Sequence, residues 1–412
     1  MKKKRLMTGL FAAAVAVSMA LSGCQSTSQE SQKTNNVQDE QSGEAVFASG
    51  SGTADDPWVI ESAQQLNLMH EHLDGHYILG ADIDLADFGG FEPIGVFEPL
   101  SEEEDETALP EAAFTGSFNG NGHKISNITI EAGDKSGVGL FGAVSGVGSG
   151  VTNLEVENIT VDGGMYLGGV IGFADWDAKV DSITLSGDNN ITGTFLVGGI
   201  VGAAHCPEIT NCTAEANVVL NGDKAQGAGI IVGGAEQCNI VNCSAIGGSV
   251  TATGSASLSI GAMAGCAQES EYVENCMAEN ITVSAPADSY MIGGLLGHAG
   301  RSDGNMTEIK GCTVRNVAIT ADNSAERIGM IVGSGFYGAI YKEYYPEPLA
   351  FAVSNCTAEG SIDGGSIVGA AAGYTYNNST VESCTASVLI NGADSNILIG
   401  GTSETNSVDT LN

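Results

Sequence analysis

A glycine-bracketed apolar element recurs eight times along this chain, and that recurrence constrains the fold more than any other feature. Quoted directly, the elements are GLFG, GGVIG, GGIVG, GIIVG, GAMAG, GGLLG, GMIVG and GAAAG. Their last glycines are Gly142, Gly172, Gly202, Gly233, Gly265, Gly297, Gly333 and Gly373, at intervals of 30 to 40 residues. A second column, Leu154, Ile183, Cys212, Cys243, Cys276, Cys312, Cys356 and Cys384, keeps the same period. Two columns on one period describe a stack of like units, each too small to bury its apolar face alone.

Each unit holds short runs of Val, Ile, Leu, Thr and Ala, such as Val151–Val161 and Ile281–Ser284, set between Gly, Asn and Asp turn signals. No unit carries a long amphipathic helical pattern. A unit of about 30 residues made of short strands suits one coil of a parallel β-helix; a propeller blade needs about 40 or more. The sequence predicts an all-β solenoid of roughly nine to ten coils, stacked ~4.8 Å apart into a rod on the order of 45 Å long. The glycines are expected to supply positive φ and close backbone approach at corners. Asn211, Asn242, Asn275 and Asn355 share one position, which suggests an internal asparagine ladder. Ser62–Leu73 has a mildly helical pattern and predicts an N-terminal cap over the first coil, shielding its open strand edge.

The glycine elements resemble the GLUG repeat of bacterial surface and secreted proteins. An upstream companion pattern is similar too: Tyr77-Ile78-Leu79, Asp82-Ile83-Asp84-Leu85, Pro93-Ile94-Gly95, and the run from Phe114 through Gly116, Phe118, Asn121 and His123 to Ile125. The likeness extends over roughly residues 56–402. It implies a right-handed parallel β-helix of the pectate-lyase architecture, and it implies little about activity, because such repeats occur mostly in adhesins and accessory regions. One departure is that coils after Ile183 place Cys where any apolar residue would serve.

The start of the chain reads as an export signal. Lys2, Lys3, Lys4 and Arg5 precede an apolar run from Leu6 to Ala20, too short to span a bilayer, which needs about 20 residues. The run ends in Leu21-Ser22-Gly23-Cys24, which resembles a bacterial lipobox and implies diacylglycerol on Cys24. Residues 1–23 are therefore expected to be removed. Residues 24–50, rich in Gln, Ser, Asn and Glu, are expected to tether the folded part to the extracytoplasmic face of a membrane. The remaining boundaries are 51–112 for the cap and first strands, 113–402 for the repeats, and 403–412 for a tail without a wall-sorting pattern.

Four of the 14 basic residues lie in that leader, so ten remain against 50 acidic ones. This balance excludes nucleic acid and anionic lipid surfaces as partners, since both require Lys and Arg opposite phosphate. No cofactor is expected, and loose Ca²⁺ binding is the most the acidic exterior suggests. Six of the ten cysteines occupy one repeat position that also accepts Leu and Ile, so they read as core packing. Cys206, Cys238 and Cys266 lie off that column. Cys206 and Cys238 stand 32 residues apart, close to one coil, which leaves a disulfide open.

Signs of catalysis are weak. His70-Glu71-His72 lacks the spacing of a metalloprotease helix because residue 74 is Asp74. Asp82/Asp84, Asp175/Asp177 and Glu155/Glu157 put pairs of carboxylates on one strand face, suited to holding an ion or to solvation. His205 and His298 follow glycine elements without an obvious partner. Two insertions break the period: an acidic one with Ser101 to Glu106, read as a solvated spacer, and a second with Phe336, Tyr337, Tyr341, Tyr344 and Tyr345. Aromatics are otherwise scarce, and Tyr combines apolar area with a polar tip, so these five residues are the candidate binding surface. The sequence thus points to a non-enzymatic surface β-helix that binds a glycan or protein. The alternatives are a polysaccharide lyase or glycoside hydrolase, and a structural envelope module pairing through its last strand.

Overall fold

The computed structural model describes residues 46–97, 112–133, 135–175, 177–206, 208–335, 349–376, 378–402 and 409–411. Cys24, residues 25–45 of the expected tether, the acidic insertion at 101–106 and Phe336, Tyr337, Tyr341, Tyr344 and Tyr345 lie outside the described residues. The last residues assigned to the tether instead pack on the first strand, the Ala48 N–H donating to the Val59 carbonyl at 3.0 Å and the Phe47 ring lying 4.7 Å from Trp58. Within them the chain winds as a parallel β-solenoid. Its strands fall into a broad, bent sheet of 22 strands, a seven-stranded sheet and a nine-stranded sheet. Successive coils pair in parallel throughout the repeats, with Ile183 opposite Leu154 and Val201 opposite Val232. The predicted all-β solenoid and the predicted cap are both present.

The cap is a short helix, Ala63–Leu68, continued by a 3₁₀ turn, Met69–Glu71. Ser62 caps it, its Oγ accepting from the backbone N–H of Gln65 at 3.3 Å. Leu66 and Met69 are fully buried against the first rung, Trp58–Ile60, which pairs with His76–Leu79. Large aromatic rings fill the core at this end. Phe114 and Phe118 each lie 5.3 Å from the Phe141 ring. Farther along, small aliphatics take over, because each coil there repeats almost the same cross-section.

The glycine columns answer to close approach. A Cβ on Gly233 would lie 2.4 Å from the Val197 nitrogen and 2.5 Å from the Leu196 carbonyl carbon of the preceding coil. The last glycine of each element does not use positive φ; non-glycine corner residues do. Asn153, Asn211, Asn242, Asn275 and Asn355 have φ of 51 to 55°, the left-handed region that Asn tolerates because its short amide bonds locally. Their side chains are exposed, so the expected internal ladder is an external one. Asn242 Nδ2 donates to Asn211 Oδ1 at 3.3 Å, and Asn211 donates to Asp181 at 2.8 Å.

Immediately after each corner the column from Leu154 to Cys384 turns inward and is buried. The thiols do more than fill space. Each donates to the carbonyl two residues back: Cys212 to Thr210 at 3.2 Å, Cys276 to Glu274 at 3.3 Å and Cys356 to Ser354 at 3.2 Å. A thiol thus satisfies a corner carbonyl that Leu or Ile leaves to other donors, and it keeps the apolar volume the core requires.

Candidate functional site

Outward side chains converge on one flank of the solenoid, where the seven-stranded sheet meets the nine-stranded one. In six of the seven strands of the seven-stranded sheet the second residue takes positive φ: Tyr166 57°, Leu196 47°, Gly227 78°, Ser259 56°, Met291 61° and Arg327 63°. That kink breaks the strict in-out alternation of a strand and throws these side chains onto the flank. After the glycine element, the third residue of the next strand also points out. The register stacks Phe173, Ala203, Gly234, Cys266, His298, Ser334 and Tyr374 in one column.

The two ends of this flank differ. Toward the N-terminus, Tyr166, Phe173, Phe195, Leu196, Ala203 and Cys266 form an apolar cluster separate from the solenoid core, with Phe97 packed 4.7 Å from Phe173. Toward the C-terminus, the Arg327 guanidinium lies 5.8, 5.3 and 5.7 Å from the ring centroids of Tyr290, Tyr374 and Tyr376. Tyr374 and Tyr376 are themselves 4.8 Å apart. All four residues are half-buried, so part of each remains at the surface. Cation–π attraction on this scale is worth about 0.5–1 kcal/mol at exposed sites, enough to hold the rings in place.

Two histidines gain partners that the sequence did not reveal. His205 Nδ1 lies 3.1 Å from Asp175 Oδ1, its neighbour one coil away. His298 Nδ1 lies 3.2 Å from Met291 Sδ, and the ring is fully buried. Burial, followed by the nearby positive Arg327, pushes the His298 imidazole down to about 3, so it is neutral at physiological pH. Cys266, in the same column, has its thiol pushed up to about 12 by burial, so it stays protonated.

The second insertion is rooted on this flank. The N–H of Leu349 donates to the carbonyl of Gly335 at 2.9 Å, closing the base of segment 336–348. Ser334, one residue before that base, lies opposite Tyr374 in register. Gly335 and Leu349, the described residues that flank 336–348, therefore lie on the flank that carries Tyr374. Sequence reading missed this aromatic group because its members sit on separate coils. The signal that would have found it is positional: Tyr374 is the residue following the last glycine of its element.

The carboxylate pairs singled out in the sequence mostly tie one coil to the next. Asp82 lies 3.0 Å from His123 Nδ1, and Asp84 accepts from Asn127 at 2.8 Å. Ser186 donates to Glu155 at 2.9 Å, and Lys124 pairs with Glu157 at 2.7 Å. Hydrogen bonds from His123 and from the Lys124 backbone hold the Asp82 carboxyl below its usual range. No group of three or more His, Cys, Asp or Glu suited to a metal ion occurs among the described residues. His70 packs near Phe91, ring centroids 6.5 Å apart, and burial lowers its pKa.

A parallel β-solenoid with a recurring glycine-bracketed element is the class this architecture defines. Residues 193–219 match the GLUG motif family. Over 160 residues the chain is 34% identical to halomucin of Haloquadratum walsbyi, a match covering 37% of this chain and 2% of that protein. It is 35% identical over 136 residues to a protein of Evansella cellulosilytica described as a Gly-rich membrane protein, covering 32% of this chain and 15% of the other. The chain thus spans only a small part of the curated relatives it matches. A crystal structure from Bacteroides ovatus, of a protein described as an immunoglobulin A1 protease, aligns over 87% of both chains with a TM-score of 0.44 and 18% identity.

Proposed function

We propose that this protein is a lipid-anchored, extracytoplasmic β-solenoid that binds a glycan or protein partner through its tyrosine- and arginine-bearing flank. The observation that carries the reading is the grouping of Tyr290, Arg327, Tyr374 and Tyr376 at the root of the insertion bearing Phe336, Tyr337, Tyr341, Tyr344 and Tyr345. Tyr and Arg offer broad contact area with polar tips at modest entropic cost, and both are enriched where surfaces recognise partners. The cross-coil pairing of Asp82, Asp84, Glu155 and Glu157 favours a structural duty for those carboxylates over general acid–base work.

The anchoring half of the proposal rests on the basic leader, the apolar run and Cys24. The names of the two relatives, a mucin and a membrane protein, fit a place at the cell surface. No helix among the described residues is long and apolar enough to cross a membrane. Cys24→Ala should move the protein from the membrane fraction to the soluble fraction, and mass spectrometry of the N-terminal peptide should find acyl chains only on the native protein. An unacylated, membrane-free native protein would overturn this half. Incubation with a polysaccharide panel, with and without Ca²⁺, should leave the polymers intact. New reducing ends or unsaturated products would replace the binder with an enzyme.

A further inference from the structure

Eight of the nine cysteines among the described residues divide into two geometric classes, and the ninth, Cys266, stands in the outward column. Six stand in strict register along the inward column and each thiol donates to its own carbonyl two residues back. In-register cysteines on parallel strands carry nearly parallel Cα–Cβ bonds, a poor arrangement for a disulfide. Cys206 and Cys238 are different. Ala204 pairs with Ala235 before the corner, and Glu208 pairs with Asn239 after it, so both strands keep a 31-residue offset. Cys206 and Cys238 are 32 apart, one step off that register, at a bend where successive side chains point in different directions. Their sulfurs lie 3.0 Å from each other.

We propose that Cys206 and Cys238 form a modification site: in an oxidising compartment they are joined by a disulfide that staples two neighbouring coils. Cys206 lies in the segment that matches the GLUG motif and directly follows His205, which bonds Asp175, whereas Cys238 lies on the next coil, beyond the matched residues. A bond of ~2.05 Å requires the sulfurs to close by only about 1 Å. The oxidant is a disulfide donor, either a protein thiol–disulfide oxidoreductase or a small-molecule disulfide. The Cys206 thiolate attacks one donor sulfur and expels the other as a thiolate, giving a mixed disulfide. The Cys238 thiolate then displaces the remaining donor sulfur. Two electrons pass to the donor, and the two thiol protons end on its two released thiols.

Both cysteines are buried, Cys206 at 3% exposure and Cys238 at 0%. The hydrogen bond with Cys238 and burial raise the Cys206 thiol, so little thiolate is present once the coils close. The bond therefore forms while these coils assemble, and afterwards it is shielded from exchange. Occupancy of the site in cells rests on the export reading above, since such bonds persist only outside the reducing cytoplasm.

The test uses the full chain in two arms. In the first, the protein made with its own leader is recovered with thiols blocked at lysis, digested without reduction and analysed by mass spectrometry. In the second, the same protein is reduced, unfolded and refolded with a glutathione disulfide and thiol mixture. The expected result is a Cys206–Cys238 linked peptide in both arms, about 2 Da lighter than the two thiol peptides together. A link in the refolding arm alone upholds the site and overturns the export reading. Free thiols at both positions in both arms, or links among Cys212, Cys243 and Cys276 instead, overturn the proposal.

Stability supplies a second readout. Reduction should raise the unfolding constant of the oxidised protein roughly 30- to 1,000-fold, the range for closing a loop of one coil. That gap should vanish in Cys206→Ser, and in Cys206→Ser with Cys238→Ser. A gap that survives Cys206→Ser would also contradict the assignment.

Discussion

Two columns of the nine-stranded sheet stand two residues apart on the same strands, yet they have opposite chemistry. The inward one reads Ile171, Val201, Val232, Ala264, Leu296, Val332, Ala372 and Ile399. The outward one reads Phe173, Ala203, Gly234, Cys266, His298, Ser334, Tyr374 and Gly401. Backbone pairing is identical for both. The inner column, headed by Phe141 opposite Ile171, stacks in a dry core, where every member is apolar. The outer column is buried too from Phe173 to Ser334, with Tyr374 half-buried, yet residues from Gly to Tyr follow one another there. The repeat thus holds the inner column to one chemistry, while the outer column varies in residue type from coil to coil.

The sharpest way to break this comparison uses two adjacent glycines. A Cβ on Gly233 would strike backbone atoms at 2.4 to 2.6 Å, and backbone of a stacked coil cannot step aside. On Gly234 it would meet Leu196 Cδ2 at 2.7 Å and Cys266 Sγ at 3.1 Å, both ends of side chains. Gly233→Val should therefore cost on the order of 4 kcal/mol, and Gly234→Ala about 1 kcal/mol or less, measured as shifts of the urea unfolding curve. Equal costs would mean that the flank is packed as rigidly as the glycine column.

Acid probes the flank next. His298 is fully buried with its pKa lowered to about 3, against 6.5 when unfolded. A depressed histidine is neutral in both states above pH 6.5 and costs nothing there. As the pH falls below 6.5 the unfolded chain binds a proton that the folded chain refuses, so stability drops by up to about 1.4 kcal/mol per pH unit. Between pH 6.5 and 5 the loss should be roughly 2 kcal/mol. His298→Gln should flatten the slope; an unchanged slope would show that His298 does not carry it. In the inner corner, Cys243→Ala should cost about 1–2 kcal/mol through lost volume, and Cys243→Val should stay within about 1.5 kcal/mol. Asn242 holds φ of 54° at an exposed corner, so Asn242→Ala should cost about 1 kcal/mol and Asn242→Gly far less.

Legibility in the sequence followed the same division. The solenoid and its inward Leu–Ile–Cys column were readable because like residues recur at intervals of 30 to 40 residues, and the cap was readable from the helical pattern of Ser62–Leu73. The asparagine ladder was readable as a column but was placed on the wrong side. Periodicity shows that Asn211 and Asn242 stack; it does not tell whether a left-handed corner points its side chain in or out. The glycines were assigned two duties, and the last glycine of each element performs one, close approach. The flank was unreadable for a plain physical reason. Tyr290, Arg327 and Tyr374 lie on different coils, differ in type, and share only their offset from a glycine element. His205 and Asp175 likewise meet only when two coils are stacked in register.

The central claim, that recognition resides on the flank while the repeat serves as scaffold, is tested most directly by binding. The native protein and a Tyr290→Ala, Arg327→Ala, Tyr374→Ala variant would be compared on an array of bacterial and host glycans and against purified envelope proteins, with urea unfolding of each as the control. The account predicts at least one ligand for the native protein, bound roughly tenfold or more weakly by the variant, with little change in the unfolding midpoint. Equal binding by both proteins, or no ligand for the native one, would contradict it.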